Sequence, residues 1–201
     1  KIRSVEDLLC VSSLGFRGEA LSSIAAVARV ELITKTPESL TGVRYQIEGS
    51  KEIAFEEIGA PDGTTFLVKD LFYNTPARKK FLKSAQTEGA YIADMVEKLA
   101  LSHPKISIRF IRDGKQVFTT NGDGNLQNVC FSAFGKDFSN GLLNVDASVG
   151  AVSVSGLVTP PFNCRGSRGM QYFFVNGRSV KNTTIMAAFE SAYKNSVMVG
   201  K

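Results

Sequence analysis

The sequence predicts an α/β fold of the α+β kind, and three observations predict it. Segments of period two, rich in β-branched and aromatic residues, alternate with segments whose apolar residues recur at helical spacing. Turn signals such as Gly49-Ser50 and Asp113-Gly114 join the period-two segments closely enough for antiparallel hairpins. One polar, glycine-containing stretch, Asn121-Gly122-Asp123-Gly124-Asn125, interrupts the pattern, which then restarts. In a chain of 201 residues, this gives two expected domains, 1–122 and 123–201, each with room for a core.

Ser4-Val5-Glu6-Asp7 opens a short amphipathic stretch to Val11, with Ser4 as N-cap. A loop holding Gly15 and Gly18 follows, then a helix over about 19–28 with Leu21, Ile24, Ala25 and Ala28 on one face. Val30, Leu32 and Thr34 next alternate with Arg29, Glu31 and Lys35. Residues 43–47 and 53–55 read as a hairpin, and Gly63-Thr64-Thr65 leads into Phe66-Leu67-Val68, read as a buried strand. Together they make an antiparallel meander laid against helices. Thr75 can cap, and Pro76 can open, a short basic helix with Arg78, Lys79, Lys80 and Lys83. A longer helix is expected over about 88–102, with Tyr91, Ile92, Met95, Val96 and Leu99 as its apolar set and Pro104 beyond it. His103, the single histidine, reads as its cap. Residues 106–111 and 116–120 form a second hairpin. After the polar stretch come a helix over 126–134 closed by Gly135, strands near 142–146, 151–158 and 171–175, and a helix over 182–193. The loop 160–169 is rich in Pro, Gly and Arg.

Bulk properties bound the function. Lys and Arg outnumber Asp and Glu by 24 to 19, a net charge of +5, which permits contact with an anionic polymer without demanding it. No apolar run approaches the roughly 20 residues of a membrane-spanning helix, and the start Lys1-Ile2-Arg3 is not a signal peptide. With no initiator methionine, the chain is expected to be an internal piece of a longer protein. Cys10, Cys130 and Cys164 lack the short spacing of a zinc site and read as reduced thiols of a cytosolic protein. No Ser/His/Asp, Cys/His or metal-ligand constellation appears, so no catalytic residue and no metal site is assigned.

Some features can carry chemistry. Gly15-Phe16-Arg17-Gly18 leads directly into a helix. Glycines allow close backbone approach, and a helix N-terminus offers unpaired N–H groups with partial positive charge. Together they suit a phosphate, although a plain connecting turn has the same pattern. Glu19 is either catalytic or, more simply, a carboxylate at the positive helix end. The group Arg78, Lys79, Lys80 and Lys83 is a solvated helix face or a DNA contact. Arg165 and Arg168 lie in a glycine-rich run that can follow a phosphate backbone. Arg178, after Asn176-Gly177, is a surface turn residue or a phosphate contact.

Three segments resemble the signatures of the MutL family of DNA mismatch-repair ATPases. They are Ser13-Leu14-Gly15-Phe16-Arg17-Gly18-Glu19-Ala20-Leu21; Gly63-Thr64-Thr65 with Asp70-Leu71-Phe72-Tyr73-Asn74-Thr75-Pro76-Ala77-Arg78-Lys79-Lys80-Phe81-Leu82; and Tyr172-Phe173-Phe174-Val175-Asn176-Gly177-Arg178. They occur in family order across essentially the whole chain, and the Asn-Thr-Pro-Ala-Arg block is closer to bacterial members. The resemblance implies a GHKL-superfamily ATPase, related to gyrase-type ATPases and histidine kinases. Residues 1–122 would be the later part of the GHKL (Bergerat-type) sandwich. Residues 123–201 would be a truncated transducer domain like domain 2 of ribosomal protein S5.

In that family Gly15, Phe16, Arg17, Gly18, Glu19, Ala20 and Leu21 would wrap the triphosphate of ATP, and Gly63 and Thr64 would line its pocket. Arg178, and at lower grade Arg165 and Arg168, would face double- or single-stranded DNA. ATP with Mg would dimerise the intact cytoplasmic protein, which would couple MutS to a downstream nuclease and helicase, away from any membrane. The family's general-base Glu, Mg-binding Asn, adenine-reading Asp-x-Gly-x-Gly and γ-phosphate Lys match no residue here. The chain alone is therefore expected not to hydrolyse ATP, and its loop at 15–18 to be mobile or folded unlike the ATP-bound form. Two rivals stand beside this reading. One is a gyrase-type enzyme, against which the Asn-Thr-Pro-Ala-Arg block argues. The other is a non-catalytic module, binding DNA or protein, with a vestigial loop.

Overall fold

A computed structural model describes residues 19–163, 167–194 and 196. The expectations for residues 4–11 and 15–18, and for Cys10, Cys164 and Arg165, lie outside them. The mixed α/β class is the one observed. The chain forms two compact units, Lys1–Ser84 and Ala85–Lys201.

The first unit holds helix α1 (Ala20–Ala25) and strands β1 (Arg29–Lys35), β2 (Gly42–Glu48), β3 (Lys51–Ile58) and β4 (Gly63–Lys69). All pairings are antiparallel, in the order β3-β2-β1-β4. The meander expectation holds for the first three strands. The fourth instead returns beside β1, which is Greek-key order. Residues 59–62 make that crossing over the end of the β1–β2 hairpin, and Gly42 leaves room for it. A β-carbon there would stand 2.8 Å from Ala60 Cβ and 2.9 Å from the Thr34 carbonyl oxygen.

Strand β4 is therefore an edge strand. Its Phe66 and Val68 are 47% and 48% exposed, so the expected burial of this strand is not observed. Arg44 on β2 bonds Glu31 on β1 (2.6 Å) and approaches Glu56 on β3 (3.6 Å), linking three strands. Helix α2 (Pro76–Lys79) has Pro76 in its first turn and Thr75 at its N-cap, as expected, but the Thr75 side chain makes no capping bond.

The second unit begins with α3 (Ala85–Ser102), which starts three residues earlier than expected. Its buried residues are Gly89, Ala100 and Leu101, whereas Tyr91, Ile92 and Met95 are each more than half exposed. Ala100 and Leu101 enter the core and Val96 packs against it. At Gly89 the stem of Arg112 lies so close that a β-carbon would be 2.9 Å from its Cδ. His103 closes the helix, its amide donating to the Leu99 carbonyl at 3.1 Å. Strands β5 (Arg109–Arg112) and β6 (Lys115–Thr119) pair around Asp113 and Gly114, both at positive φ, as a type I′ turn requires.

Helices α4 (Leu126–Phe134) and α5 (Lys136–Ser139) follow, then the pairs β7 (Leu143–Val149) with β8 (Val152–Val158) and β9 (Phe173–Val175) with β10 (Arg178–Val180). Helix α6 (Thr183–Tyr193) completes the described elements. Ala100, Leu101, Phe118, Val129, Cys130 and Leu142 form one core cluster, drawn from both sides of residues 121–125. That polar stretch is an ordered cap. Asp123 accepts from the Asn125 amide at 2.8 Å, and Asn125 accepts from the amides of Gln127 and Asn128 at 2.9 and 3.4 Å. Gly122 (φ 72) presses on residue 107, where a β-carbon would stand 2.6 Å from the Ser107 nitrogen.

Candidate functional site

Glu19 occupies the N-cap of α1. Its carbonyl accepts from Ser23 N at 3.0 Å and Ser22 Oγ at 2.9 Å. Ala20 and Leu21 form the first turn, and Leu21 is 57% exposed. Its partners Ala25 and Ala28 are buried. Gly15, Phe16, Arg17 and Gly18 precede this turn, outside the described residues.

The other end of α1 is held at the carbonyl of its last residue, Ala25, and at the three carbonyls that follow it. The last carbonyls of a helix lack intrahelical partners and must find them elsewhere. Here Ala25 O accepts from Ser50 N (3.1 Å), Val27 O from Phe72 N (2.7 Å) and Ala28 O from Gly49 N (3.3 Å). Ala26 O accepts from the Asn74 side-chain amide at 2.9 Å. The β2–β3 turn and the segment 70–74 therefore grip one helix end together. They also grip each other. Gly49 sits at φ 52, and a β-carbon on it would stand 2.7 Å from Tyr73 Oη. Asp70 (φ 51) and Phe72 (φ 64) adopt the left-handed conformation, which is strained for residues with side chains. Arg29 steadies the segment: its guanidinium lies 3.0 Å from an Asp70 carboxylate oxygen and 5.1 Å from the centre of the Tyr73 ring.

Gly63 and Thr64 begin β4, opposite Lys35 and Thr34. This is the end of β1 remote from the α1 grip, six residue steps or about 20 Å along the strand. Gly63 has φ 115, a conformation that favours glycine. The Thr64 hydroxyl meets that of Thr34 at 2.9 Å, and Lys35 pairs with Asp62 beside them.

In the second unit, Asn176 (φ 50) and Gly177 (φ 76) form the tight turn expected from their sequence, and Arg178 starts β10 opposite Val175. Strand β10 packs against α3. Arg168 has a more specific setting. Its Nε and a terminal nitrogen reach the two Glu190 carboxylate oxygens at 2.6 and 2.9 Å, a bidentate pair. Gln171 adds a bond to Glu190 at 3.3 Å. The Arg168 guanidinium, then Gln171, hold the Glu190 carboxyl below its ordinary range.

Behind that pair lies a cavity of about 690 Å³, lined in part by Phe134, Phe138, Tyr172, Phe189 and Tyr193. Burial pushes the Cys130 thiol on its wall up to about 11. It likewise raises the Tyr172 hydroxyl to about 12, helped by the Glu97 and Asp94 charges. Among the described residues no group of His, Cys, Asp and Glu could hold a metal ion, and no helix is long and apolar enough to cross a membrane.

Sequence reasoning missed the roles of Asn74, Gly49 and Glu190. Asn74 was visible as part of a motif, but its partner lies 48 positions earlier. Glu190 carried no signal, being a single acid on an amphipathic helix 22 residues from Arg168.

Comparison with known proteins places this geometry in a lineage. A family described as "DNA mismatch repair protein, C-terminal domain" matches residues 130–201. The DNA mismatch repair protein MutL of Agathobacter rectalis is 60% identical over 98% of this chain, and that of Caldanaerobacter subterraneus is 44% identical over 98%. The chain spans about a third of the length of these curated relatives, 31% and 33% respectively. The ATPase domain of Aquifex aeolicus MutL, solved with ADP, superposes with a TM-score of 0.73 at 23% identity, covering 94% of this chain and 71% of that one. The N-terminal domain of a DNA repair protein gives 0.75 at 26% identity, covering 92% and 61%. The structures share the fold. These identities extend over nearly the whole chain, and so the chain belongs to the MutL family of DNA mismatch repair proteins.

Proposed function

We propose that this chain is part of an ATP-binding and ATP-hydrolysing mismatch-repair matchmaker, contributing the triphosphate loop and part of a DNA-binding face. The observation that carries the reading is identity with MutL relatives over nearly the whole chain. In this reading Gly15, Phe16, Arg17, Gly18, Glu19, Ala20 and Leu21 wrap the triphosphate, and Gly63 and Thr64 line the pocket. The GHKL part ends at residue 122 and the S5-like part begins at 123.

ATP supplies the anhydride bond that is cleaved, and Mg its counter-charge. The residues of this chain bind and orient. Loop amides and Arg17 donate to phosphate oxygens, α1 sets where that loop is anchored, and the hydroxyls of Thr34 and Thr64 order the start of β4. In the family resemblance, no residue of this chain matches the general-base Glu or the Mg-binding Asn. The 201 residues alone therefore do not turn ATP over, while the full-length protein does. Steady hydrolysis by residues 1–201, purified free of other ATPases, would contradict this division.

Arg178, with Arg165 and Arg168, is assigned to a DNA-binding face in the bacterial cytoplasm. The full protein acts as an ATP-dependent homodimer coupling MutS to nuclease and helicase. Arg168 has the weakest claim of the three, because Glu190 already neutralises it. Affinity for double-stranded DNA, measured against salt, tests the face. Arg178→Glu should weaken binding at low salt and lower the slope of log K against log salt by about one. An unchanged affinity and slope would remove Arg178 from the interface.

A further inference from the structure

Helix α1 spans six residues, Ala20–Ala25, too few to be stable by itself. Its direction must come from its tethers. Only residues 26–28 separate it from β1, and the carbonyls of residues 25–28 all bond to two other segments. Three of those donors are backbone amides. The fourth, the Asn74 side chain, is the one a substitution can remove while leaving the main chain intact.

We infer that Asn74 is a positioning residue for the nucleotide loop, acting with Gly49 through the α1 grip and touching no nucleotide itself. The inference rests on the reading of residues 15–21 as the triphosphate loop. Six helical residues measure about 9 Å, so a tilt of about 10° at the gripped end moves the other end by about 1.5 Å. A shift of that size exceeds the span of usable N–H···O distances, about 2.7 to 3.2 Å. The local geometry shows how firmly the grip is set. Gly49 has no space for a β-carbon beside Tyr73 Oη and the Asn74 amide nitrogen, at 2.7 and 3.1 Å. Phe72 takes a left-handed conformation (φ 64) as its amide meets Val27 O. Arg29 is bonded to the same segment through Asp70.

The test uses the full-length protein and a non-hydrolysable ATP analogue. Asn74→Ala should bind the analogue about tenfold more weakly than wild type, at a temperature where circular dichroism shows both fully folded. Coupling between sites is reciprocal. In the wild type, saturating analogue should therefore slow amide hydrogen exchange at Gly49, Ser50 and Phe72, which a merely structural contact would not show. This second readout stands even if a variant fails to fold. Wild-type-like affinity in folded Asn74→Ala overturns the inference, and so does unchanged exchange at those three amides. A wild-type protein that binds no analogue overturns the loop reading itself, so the two failures are told apart.

Discussion

At Cys130, burial alone decides the chemistry. The side chain is 6% exposed on α4, and a thiolate there would lose its hydration, so the thiol stays protonated to about 11. Thiolate is the reactive form. A thiol reagent near neutral pH should modify the folded chain at Cys130 far more slowly than the urea-unfolded chain, as mass spectrometry of the labelled peptide would record. The linkage follows from the same shift. A folded pKa above the unfolded value of about 8.5 means that this contribution to stability is complete below that pH. It is lost as pH rises toward about 11. Equal labelling of folded and unfolded protein would show that Cys130 is open to solvent. Arg168 illustrates a different balance, since its attraction for a phosphate competes with a bidentate carboxylate already in place.

Helix ends are the elements whose stability is easiest to trace to one side chain. Asn125 caps α4, and Asn182 caps α6 by accepting from Thr184 N and Ile185 N at 2.9 and 3.1 Å. Alanine at either position should cost about 1 kcal/mol in urea unfolding; a loss indistinguishable from zero would mean the cap bonds do not persist in solution. The Arg168–Glu190 pair ties the segment at 168–170 to α6. Because the Glu190 carboxyl is depressed in the folded chain, its contribution is present above the ordinary Glu value of about 4.3 and is lost as pH falls through the lower folded value. Acid should therefore lower the thermal midpoint of wild type more than that of Glu190→Gln. The two midpoints falling in parallel would exclude the pair as a source of acid sensitivity.

Turns were legible in the sequence because their signals are local: Asp113-Gly114 and Asn176-Gly177 need positive φ. The return of β4 to β1 was not, since alternation marks a strand without naming its partner. The apolar spacing on α3 likewise identified a helix but only part of its packing face, since Val96 of that set packs against the core whereas Tyr91, Ile92 and Met95 are more than half exposed.

For the whole molecule, family membership carries most of the functional reading, and the two compact units supply its physical detail. The motif segments were legible as motifs, yet the grip on α1 joins residues 25–28, 49–50 and 70–74, which only the fold brings together. The basic excess is small, +5 over 201 residues, so any DNA binding depends on where a few arginines stand more than on bulk charge. The central claim is that residues 15–21 hold the triphosphate of ATP. Its most direct measurement is the dissociation constant of ATP for the full-length protein, wild type against Gly18→Ala, with folding checked by circular dichroism. A side chain on the loop should obstruct backbone approach to the phosphates and weaken binding by about tenfold or more. Equal affinity in two folded proteins would contradict the claim.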